Sequence, residues 1–153
     1  MNKILYIVLI SLFSLTVISC AKKDEPTSSS SSSVTTTKSY VSVGNSGTIL
    51  TSSDGTTWNS MTSGTSTLLN EVTYGNSIFV TVGYGGTILT SSVNRTTWND
   101  RSKTKRLWGV TYANSTFTVV GNSGTIYTSS DGTTWTSRTS GFSNSLYNVI
   151  YSE

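Results

Sequence analysis

A seven-residue segment, Gly-Thr-Ile-x-Thr-Ser-Ser, occurs three times in this chain and constrains its fold more than any other feature. The three copies begin at Gly47, Gly86 and Gly124, which puts 39 and 38 residues between consecutive copies. A tryptophan follows each copy, at Trp58, Trp98 and Trp135. Self-similarity at a fixed period of this length is typical of repeat architectures in which one small unit is stacked on the next. The chain from residue 40 onward is therefore predicted to be a repeat domain.

Each copy contains four short segments that are rich in β-branched and aromatic residues and are separated by Gly, Asn and Ser. Such segments are typical of β-strands. The first segment occupies residues 69–74, 107–112 and 146–151, and the second occupies residues 40–44, 79–83 and 117–121. The third is the Gly-Thr-Ile segment and the fourth starts at Thr-Thr-Trp. We therefore expect an all-β fold in which each copy is a four-stranded antiparallel sheet.

The link between the third and fourth segments reads Ser-Ser-Asp-Gly-Thr-Thr-Trp in two of the three copies. Glycine accepts the positive φ of a tight hairpin, and the aspartate carboxylate can accept backbone N–H bonds within the turn. The tryptophan is expected to fold over the hairpin. The middle copy has Val93 and Arg95 in place of Asp and Gly but keeps its tryptophan, so its hairpin is expected to persist with a different turn. The predicted structural turn residues are Ser52, Asp54, Gly55, Trp58, Trp98, Ser129, Asp131, Gly132 and Trp135.

These turns resemble the Asp-box of the sialidase superfamily, also called the BNR repeat, with one residue fewer than Ser-x-Asp-x-Gly-x-Thr-Trp. The longer phrase Val-Gly-x-x-Gly-x-Ile-x-Thr-Ser-x-Asp-Gly-x-x-Trp is similar to the repeat of photosystem II assembly-factor-like propellers. The resemblance covers the chain after about residue 40 and implies a β-propeller-type fold. Because Asp-boxes lie at the periphery of such propellers, it also implies a structural role for Asp54 and Asp131 rather than a metal-binding or catalytic one.

The strand count predicts a problem of closure. The first copy has strands two to four only, two full copies follow, and residues 146–151 supply a lone first strand, so about three blades result. Propellers usually have four to eight blades, and an open sheet edge recruits partners. Three arrangements remain open: a homodimer that completes a six-bladed ring, a truncated piece of a longer propeller, and an open or tightly closed monomer of three blades.

The first 39 residues indicate export rather than a folded domain. Residues 1–19 combine Lys3 with an apolar run that is shorter than the roughly 20 residues of a membrane span, as in a signal peptide with a helical core. The residues before Cys20 resemble a bacterial lipobox, which implies that Cys20 carries lipid; the alternative is an ordinary signal with an incidental cysteine. Residues 20–39 are rich in Ser and Thr and are predicted to be a disordered tether. We expect a lipoprotein of the cell envelope, at the outer membrane or cell surface if the cell has two membranes.

Composition excludes several kinds of chemistry. The chain has no histidine and one cysteine, so it cannot build a Ser-His-Asp or Cys-His nucleophile, a histidine-ligated metal site or an internal disulfide. No metal or cofactor is expected. Sialidases grip their substrate with an arginine cluster at equivalent early-strand positions, and the four arginines here do not occupy such positions. Glu71 and Asp100 are the only carboxylates within the repeats that are not placed in turns, which is thin support for a catalytic carboxylate pair.

Two features are candidates for ligand binding. The connection between the second and third copies carries four basic residues where the other copies carry Ser, Thr and Gly, and such a group can attract acidic glycans or phospholipid headgroups. The alternative is that the basic loop is simply exposed to solvent. The second feature is a position just inside the first strand that is aromatic in two copies, since aromatic faces stack on sugar rings. The alternative for these rings is packing between blades. The candidate binding residues from these features are Arg101, Lys103, Lys105, Arg106, Trp108 and Tyr147. Tyr84 is a further candidate, because the other copies have Asn45 and Asn122 at its position.

The functional expectation is a membrane-anchored, non-catalytic module that binds proteins or glycans or takes part in assembly. The alternatives are a degenerate propeller fragment without independent activity and, third, a sialidase-like glycoside hydrolase. Nucleic acid is not an expected partner of an exported lipoprotein. Fold resemblance alone assigns no ligand, because unrelated functions share the same fold.

Overall fold

The computed structural model describes residues 39–92 and 96–152. The predicted signal peptide, Cys20 and almost all of the predicted tether lie outside these residues, as do Val93 and Arg95 of the middle turn. Within the described ranges the chain forms eleven β-strands and three short 3-10 segments. No helix in these ranges is long and apolar enough to cross a membrane. The expectation of an all-β repeat region is confirmed.

The strands form three antiparallel sheets of three, four and four strands, each in chain order. The first sheet contains β1 (Tyr40–Val43), β2 (Ile49–Ser52) and β3 (Asn59–Met61). The second contains β4 (Leu69–Gly75), β5 (Ile78–Gly83), β6 (Ile88–Ser91) and β7 (Trp98–Asp100). The third contains β8 (Leu107–Ala113), β9 (Thr116–Gly121), β10 (Ile126–Ser129) and β11 (Thr136–Arg138). The first sheet therefore lacks the strand that corresponds to β4 and β8, as the strand count predicted.

The middle hairpin persists although its turn sequence differs. Strands β6 and β7 pair from Leu89 opposite Asp100 to Ser91 opposite Trp98. The Ser92 N–H also donates to the Thr97 carbonyl at 2.9 Å. The pairing of flanking strands thus does not require the Asp-Gly sequence of the other two copies.

The expected lone strand at residues 146–151 is wrong for this structure, because no strand is assigned there. A β-strand is held by a ladder of backbone hydrogen bonds with a neighbour, and β1, whose missing partner this segment resembles, pairs only with β2 among the described strands. The segment is nevertheless anchored at its start, where the Leu146 N–H donates to the Gly121 carbonyl at 3.0 Å. It has the sequence of a first strand without the partner that would make it one.

Hydrophobic side chains join the sheets face to face in chain order. One buried cluster lies between the second and third sheets and contains Val80, Val82, Ile88, Leu107, Val110, Phe117, Val119 and Trp135. The other lies between the first and second sheets and contains Ile49, Leu69 and Leu89, with Val41, Val43, Met61 and Trp98 packed against it. Each sheet thus covers one face of the next, as in stacked repeats.

The three repeat tryptophans lie in different surroundings because of this stacking. Trp98 packs at the boundary between the first and second sheets, and Trp135 at the boundary between the second and third. Trp135 is 9% exposed, whereas Trp58, in the first sheet, is 41% exposed. The tryptophan therefore packs against a preceding sheet where one exists, and Trp58, for which the described residues provide none, is exposed.

In every copy a 3-10 segment links the strands that correspond to β5 and β6, at Asn45–Gly47, Tyr84–Gly86 and Asn122–Gly124. Its middle residue is left-handed in each case, and serine occupies that position at Ser46 and Ser123, with φ of 54° and 56°. Its last residue is always glycine. A Cβ on Gly86 would collide with the Lys103 carbonyl group, while one on Gly85 would meet no atom within 4 Å.

Adjacent glycines in this corner are predicted to differ sharply in their tolerance of a side chain. Gly86→Ala should lower the free energy of unfolding by about 3 kcal/mol or more, because it adds a backbone collision to the cost of a left-handed alanine. Gly85→Ala has the left-handed cost alone, about 1 kcal/mol. Urea unfolding followed by tryptophan fluorescence measures both. Equal losses for the two variants would show that the collision does not govern this corner.

Candidate functional site

Four of the seven candidate binding residues lie together and form what we call the aromatic–arginine cluster: Tyr84, Arg106, Trp108 and Tyr147. The guanidinium carbon of Arg106 lies 3.7 Å from the centre of the Trp108 ring and 4.9 Å from the centre of the Tyr84 ring. The Trp108 and Tyr147 rings are 5.4 Å apart and inclined at 54°. Arg106 is thus within cation–π distance of the Trp108 and Tyr84 rings, and the Trp108 ring in turn contacts the Tyr147 ring.

A β-bulge aims Trp108 at this cluster. The register of β8 against β9 shifts between Leu107 and Gly109, so Trp108 is an extra residue in the ladder. Strand β4 has the same shift, and its extra residue, Asn70, donates to the Leu107 carbonyl at 2.6 Å. Bulges re-aim side chains and are frequent beside functional sites. Asn70 thus reaches the sheet that follows it, whereas the indole of Trp108, in the third sheet, lies against Arg106 and Tyr147.

Asn122 holds the indole in place, and the sequence reasoning did not identify it. The Trp108 Nε1–H donates to Asn122 Oδ1 at 2.7 Å, and the Ser145 hydroxyl donates to the same oxygen at 3.2 Å. The only signal in the sequence is that Asn122 occupies the position at which Tyr84 stands one copy earlier. The backbone N–H of Asn122 donates to the Arg106 carbonyl at 2.9 Å, so this residue fixes both members of the closest stacked pair.

The cluster is accessible from solvent. Tyr84 is 54% exposed and Tyr147 is 67% exposed, while Arg106 and Trp108 are half-buried. The Arg106 Nε is buried and has no hydrogen-bond partner among the described residues. A guanidinium that stacks by its face keeps its in-plane N–H donors for a carboxylate or phosphate. The cluster therefore offers exposed aromatic surface beside a cation, which suits a ligand with both a ring and an anionic group.

The other three basic candidates lie elsewhere. Arg101 donates from Nη1 to the Asp100 carbonyl at 3.3 Å, and Lys103 donates its backbone N–H to the Gly86 carbonyl at 2.8 Å. Lys105 lines an open groove of about 590 Å³ with Arg138 and Phe142. None of the three has a ring contact with the cluster within the part of the chain that the structure describes. The basic connection is thus divided, and only Arg106 joins the aromatic residues.

Both Asp-Gly turns have the same hydrogen-bond pattern. In the first, Asp54 Oδ1 accepts the N–H groups of Thr56 and Thr57, each at 2.8 Å, and the Ser52 hydroxyl at 2.9 Å. The Ser52 oxygen accepts the Gly55 N–H at 2.8 Å, and the Trp58 Nε1–H donates to the Gly55 carbonyl at 3.3 Å. The serine, aspartate and tryptophan side chains together satisfy the backbone of the turn.

The second turn repeats this geometry in a more buried setting. Asp131 Oδ1 accepts the Thr133 and Thr134 N–H groups at 2.7 and 2.8 Å, and the Trp135 Nε1–H donates to the Gly132 carbonyl at 3.1 Å. These backbone N–H bonds, that of Thr134 above all, hold the pKa of Asp131 far below its usual range. The N–H of Thr57, followed by that of Thr56, has the same effect on the pKa of Asp54. Both carboxylates are therefore ionised and occupied within their turns.

The remaining carboxylates of the described repeats also have local partners. Glu71 Oε2 accepts the Val110 N–H of the next sheet at 2.7 Å. Asp100 Oδ1 accepts the Ser102 N–H at 2.7 Å, and its pKa is lowered by the hydroxyl and backbone N–H of Ser102. Within the described residues, no group of three or more His, Cys, Asp or Glu side chains is placed to hold a metal ion.

Comparison of the chain with protein-family models and with curated proteins returned no match.

The occupied carboxylate of Asp131 predicts a specific dependence of stability on pH. Because its pKa is depressed in the folded state, its contribution is present above the unfolded value of 3.8 and is lost as the pH falls below that value toward the folded pKa. Asp131→Asn keeps an oxygen acceptor but removes the charge. This variant should be less stable than wild type at pH 7 by about 1 kcal/mol, a figure that allows for solvent screening.

Urea unfolding measured from pH 7 to below pH 3 should show the difference between Asp131→Asn and wild type shrinking as the pH falls. Ser130→Asn is the matched control, since it introduces the same amide next door without touching the carboxylate, and it should parallel wild type. A constant gap between Asp131→Asn and wild type at every pH would contradict the role assigned to the charge.

Proposed function

We propose that this protein is an exported, lipid-anchored, β-propeller-type lipoprotein whose repeat region binds an acidic glycan at the aromatic–arginine cluster without catalysing a reaction. The observation that carries the proposal is the stacking of Arg106 on Trp108 and Tyr84. The three sheets act as blades, and the cluster lies where the second and third blades meet. A tether after Cys20 keeps this module at a distance from the membrane surface.

The composition of the cluster favours a sugar that bears a carboxylate. Aromatic faces provide a flat apolar surface for the C–H face of a sugar ring, and the exposed Tyr84 and Tyr147 supply such surfaces. A guanidinium pairs with a carboxylate through two parallel N–H bonds and is easily desolvated. A neutral glycan would leave Arg106 without an anionic partner, so the class of ligand we propose is a uronic-acid or sialic-acid glycan.

The carboxylates support a binding role over hydrolysis. Glycoside hydrolysis by the usual route needs two carboxyl groups that flank one bond, one of them with a raised pKa. Asp54 and Asp131 instead have lowered pKa values and accept backbone N–H groups within their turns. Glu71 accepts a backbone N–H from β8. A glycoside hydrolase of this kind would have to use carboxylates that already have structural partners.

Binding of an acidic glycan is tested with the full chain in detergent on an array that pairs carboxylated glycans with their neutral counterparts. Wild type should bind the carboxylated members selectively, and more weakly as salt is added. Trp108→Ala and Arg106→Ala should each weaken binding by about tenfold, which corresponds to about 1.4 kcal/mol and lies within the range of a cation–π contact plus a charge-assisted bond.

Matched variants separate the cluster from net charge. Arg101→Ala removes the same charge from the same connection and should bind as wild type does, whereas Arg106→Lys keeps the charge but loses the planar fork and should bind poorly. Vesicles containing anionic phospholipid are the competing probe. The proposal fails if no carboxylated glycan binds, if binding is indifferent to both Arg106→Ala and Trp108→Ala, or if vesicles alone are bound through Arg106.

Lipid anchoring predicts that the membrane location depends on Cys20. In a bacterial host, the wild-type chain should incorporate labelled palmitate and sediment with membranes. Cys20→Ser removes the thiol that accepts lipid and should therefore abolish the label. Sedimentation with membranes should decrease as well, because stable anchoring takes two or more acyl chains. Ser19→Ala leaves a small residue before the cysteine and should remain labelled. Labelling of Cys20→Ser would refute lipidation at this residue.

A further inference from the structure

The first sheet has one face that no part of the described chain covers. Strands β1, β5 and β9 have an equivalent aromatic residue near their start. It is 8% exposed at Phe79 and fully buried at Phe117, but 59% exposed at Tyr40. The repeat tryptophan follows the same trend, from 9% at Trp135 to 41% at Trp58. Trp98 of the second sheet and Phe117 and Trp135 of the third belong to hydrophobic clusters shared with the sheet that precedes them. The first sheet therefore presents the contact face of a blade with no blade against it.

The third sheet has the complementary uncovered face. Ile49 and Ile88 are fully buried beneath the sheet that follows each of them, but the equivalent Ile126 is half-buried. On the second sheet a hairpin turn of the third sheet covers this face. Gly132 of that turn lies against Ile78 and Val80. On the third sheet the same area is a groove of about 240 Å³ whose lining includes Thr116, Thr128 and Arg138.

Residues 146–151 lie where the first strand of a further sheet would begin. The Leu146 N–H bonds to the Gly121 carbonyl at 3.0 Å, as the Leu69 N–H bonds to the Gly44 carbonyl at 3.0 Å one boundary earlier. The segment then runs beside β8: its Tyr151 hydroxyl accepts a hydrogen bond from Asn114 at 3.1 Å. Its outward side is bare, with Ile150 81% exposed and Tyr151 50% exposed.

We infer that a second copy of this chain docks on the third sheet, and that residues 146–151 become the missing first strand of the partner's first sheet. The pairing of β4 with β5 and of β8 with β9 sets the register. Val72 lies opposite Thr81 and Val110 opposite Val119, so Val149 should lie opposite Ser42 of the partner subunit. By the same rule Ile150 should pair with Val41 of the partner subunit, and Tyr151 with Tyr40 of the partner subunit.

A second copy fits because both halves of the missing boundary occur on one chain. Among the residues that the structure describes, the first sheet supplies an uncovered aromatic face and a β1 edge that pairs with no strand other than β2. The third sheet supplies the uncovered isoleucine face and is followed by the segment that is not a strand. The packing clusters join the first sheet to the second and the second to the third, which puts the two halves at opposite ends of the stack. Two copies joined reciprocally give six blades, within the usual range for a closed propeller.

The docked arrangement would also place Tyr147 at the boundary between copies, because this residue belongs to the exchanged segment. Tyr84, Arg106 and Trp108 lie one boundary earlier. The ligand class proposed above is not needed for this inference, since the contacts that carry it lie in the sheet faces and edges.

Cysteine pairing tests the register directly. The full chains of Ser42→Cys and Val149→Cys, purified separately and mixed in detergent under mild oxidation, should form a covalent dimer, because directly opposed residues have Cβ atoms close enough for a disulfide. Neither variant alone should do so, and wild type with Cys20 is the background control. Asn148→Cys mixed with Ser42→Cys should crosslink much less, since adjacent residues of a strand point to opposite faces.

The mass in solution gives an independent reading. Light scattering on the full chain should report twice the chain mass, and Ile150→Asp should halve it, while Ser143→Asp, which adds the same charge three residues before the segment, should leave it unchanged. A monomer at every concentration tried, a Ser42–Val149 double variant that closes its disulfide within one chain, or equal crosslinking in both registers would overturn the inference.

Discussion

The structure depends on the burial of one sheet's aromatic face against the aliphatic face of the sheet before it. A sheet is apolar on the face that it turns toward the core, and it must bury that face against another layer. Phe117 and Trp135 of the third sheet, 6.4 Å apart at their ring centres, cover Val80, Val82 and Ile88 of the second. The Asp-Gly turns and the glycine corners join the strands that present these faces to each other.

The turns show how a chain with only 11% charged residues holds such sheets in register. A serine hydroxyl, an aspartate oxygen and an indole N–H satisfy one hairpin backbone, and all of these bonds join residues two or three positions apart. The tryptophan therefore leaves the turn in a defined direction before it meets the preceding sheet. Hydroxyls and one well-placed carboxylate replace the salt bridges that a more highly charged chain would use.

The distance in sequence over which an interaction acts decides how much of this was predictable. The all-β class, the strand composition of the three sheets and the persistence of the middle hairpin follow from period and local composition. The support of Trp108 by Asn122 was not predictable, because it spans 14 residues and depends on a bulge with no sequence signature of its own. Residues 146–151 were misassigned as a strand because their composition reports strand propensity, while a strand also needs a partner that local sequence does not reveal.

The copies repeat the same backbone contacts at equivalent positions. A functional site is therefore to be sought at the positions where their side chains differ. The carbonyl of Leu68 accepts the N–H of Tyr84, and one copy later the carbonyl of Arg106 accepts the N–H of Asn122 in the same way. The fold therefore uses only the main chain at this position, and the side chain can be leucine in one copy and arginine in the next. An arginine that the scaffold does not require, stacked on an indole that a bulge aims toward it, is therefore the observation on which the proposed ligand site rests.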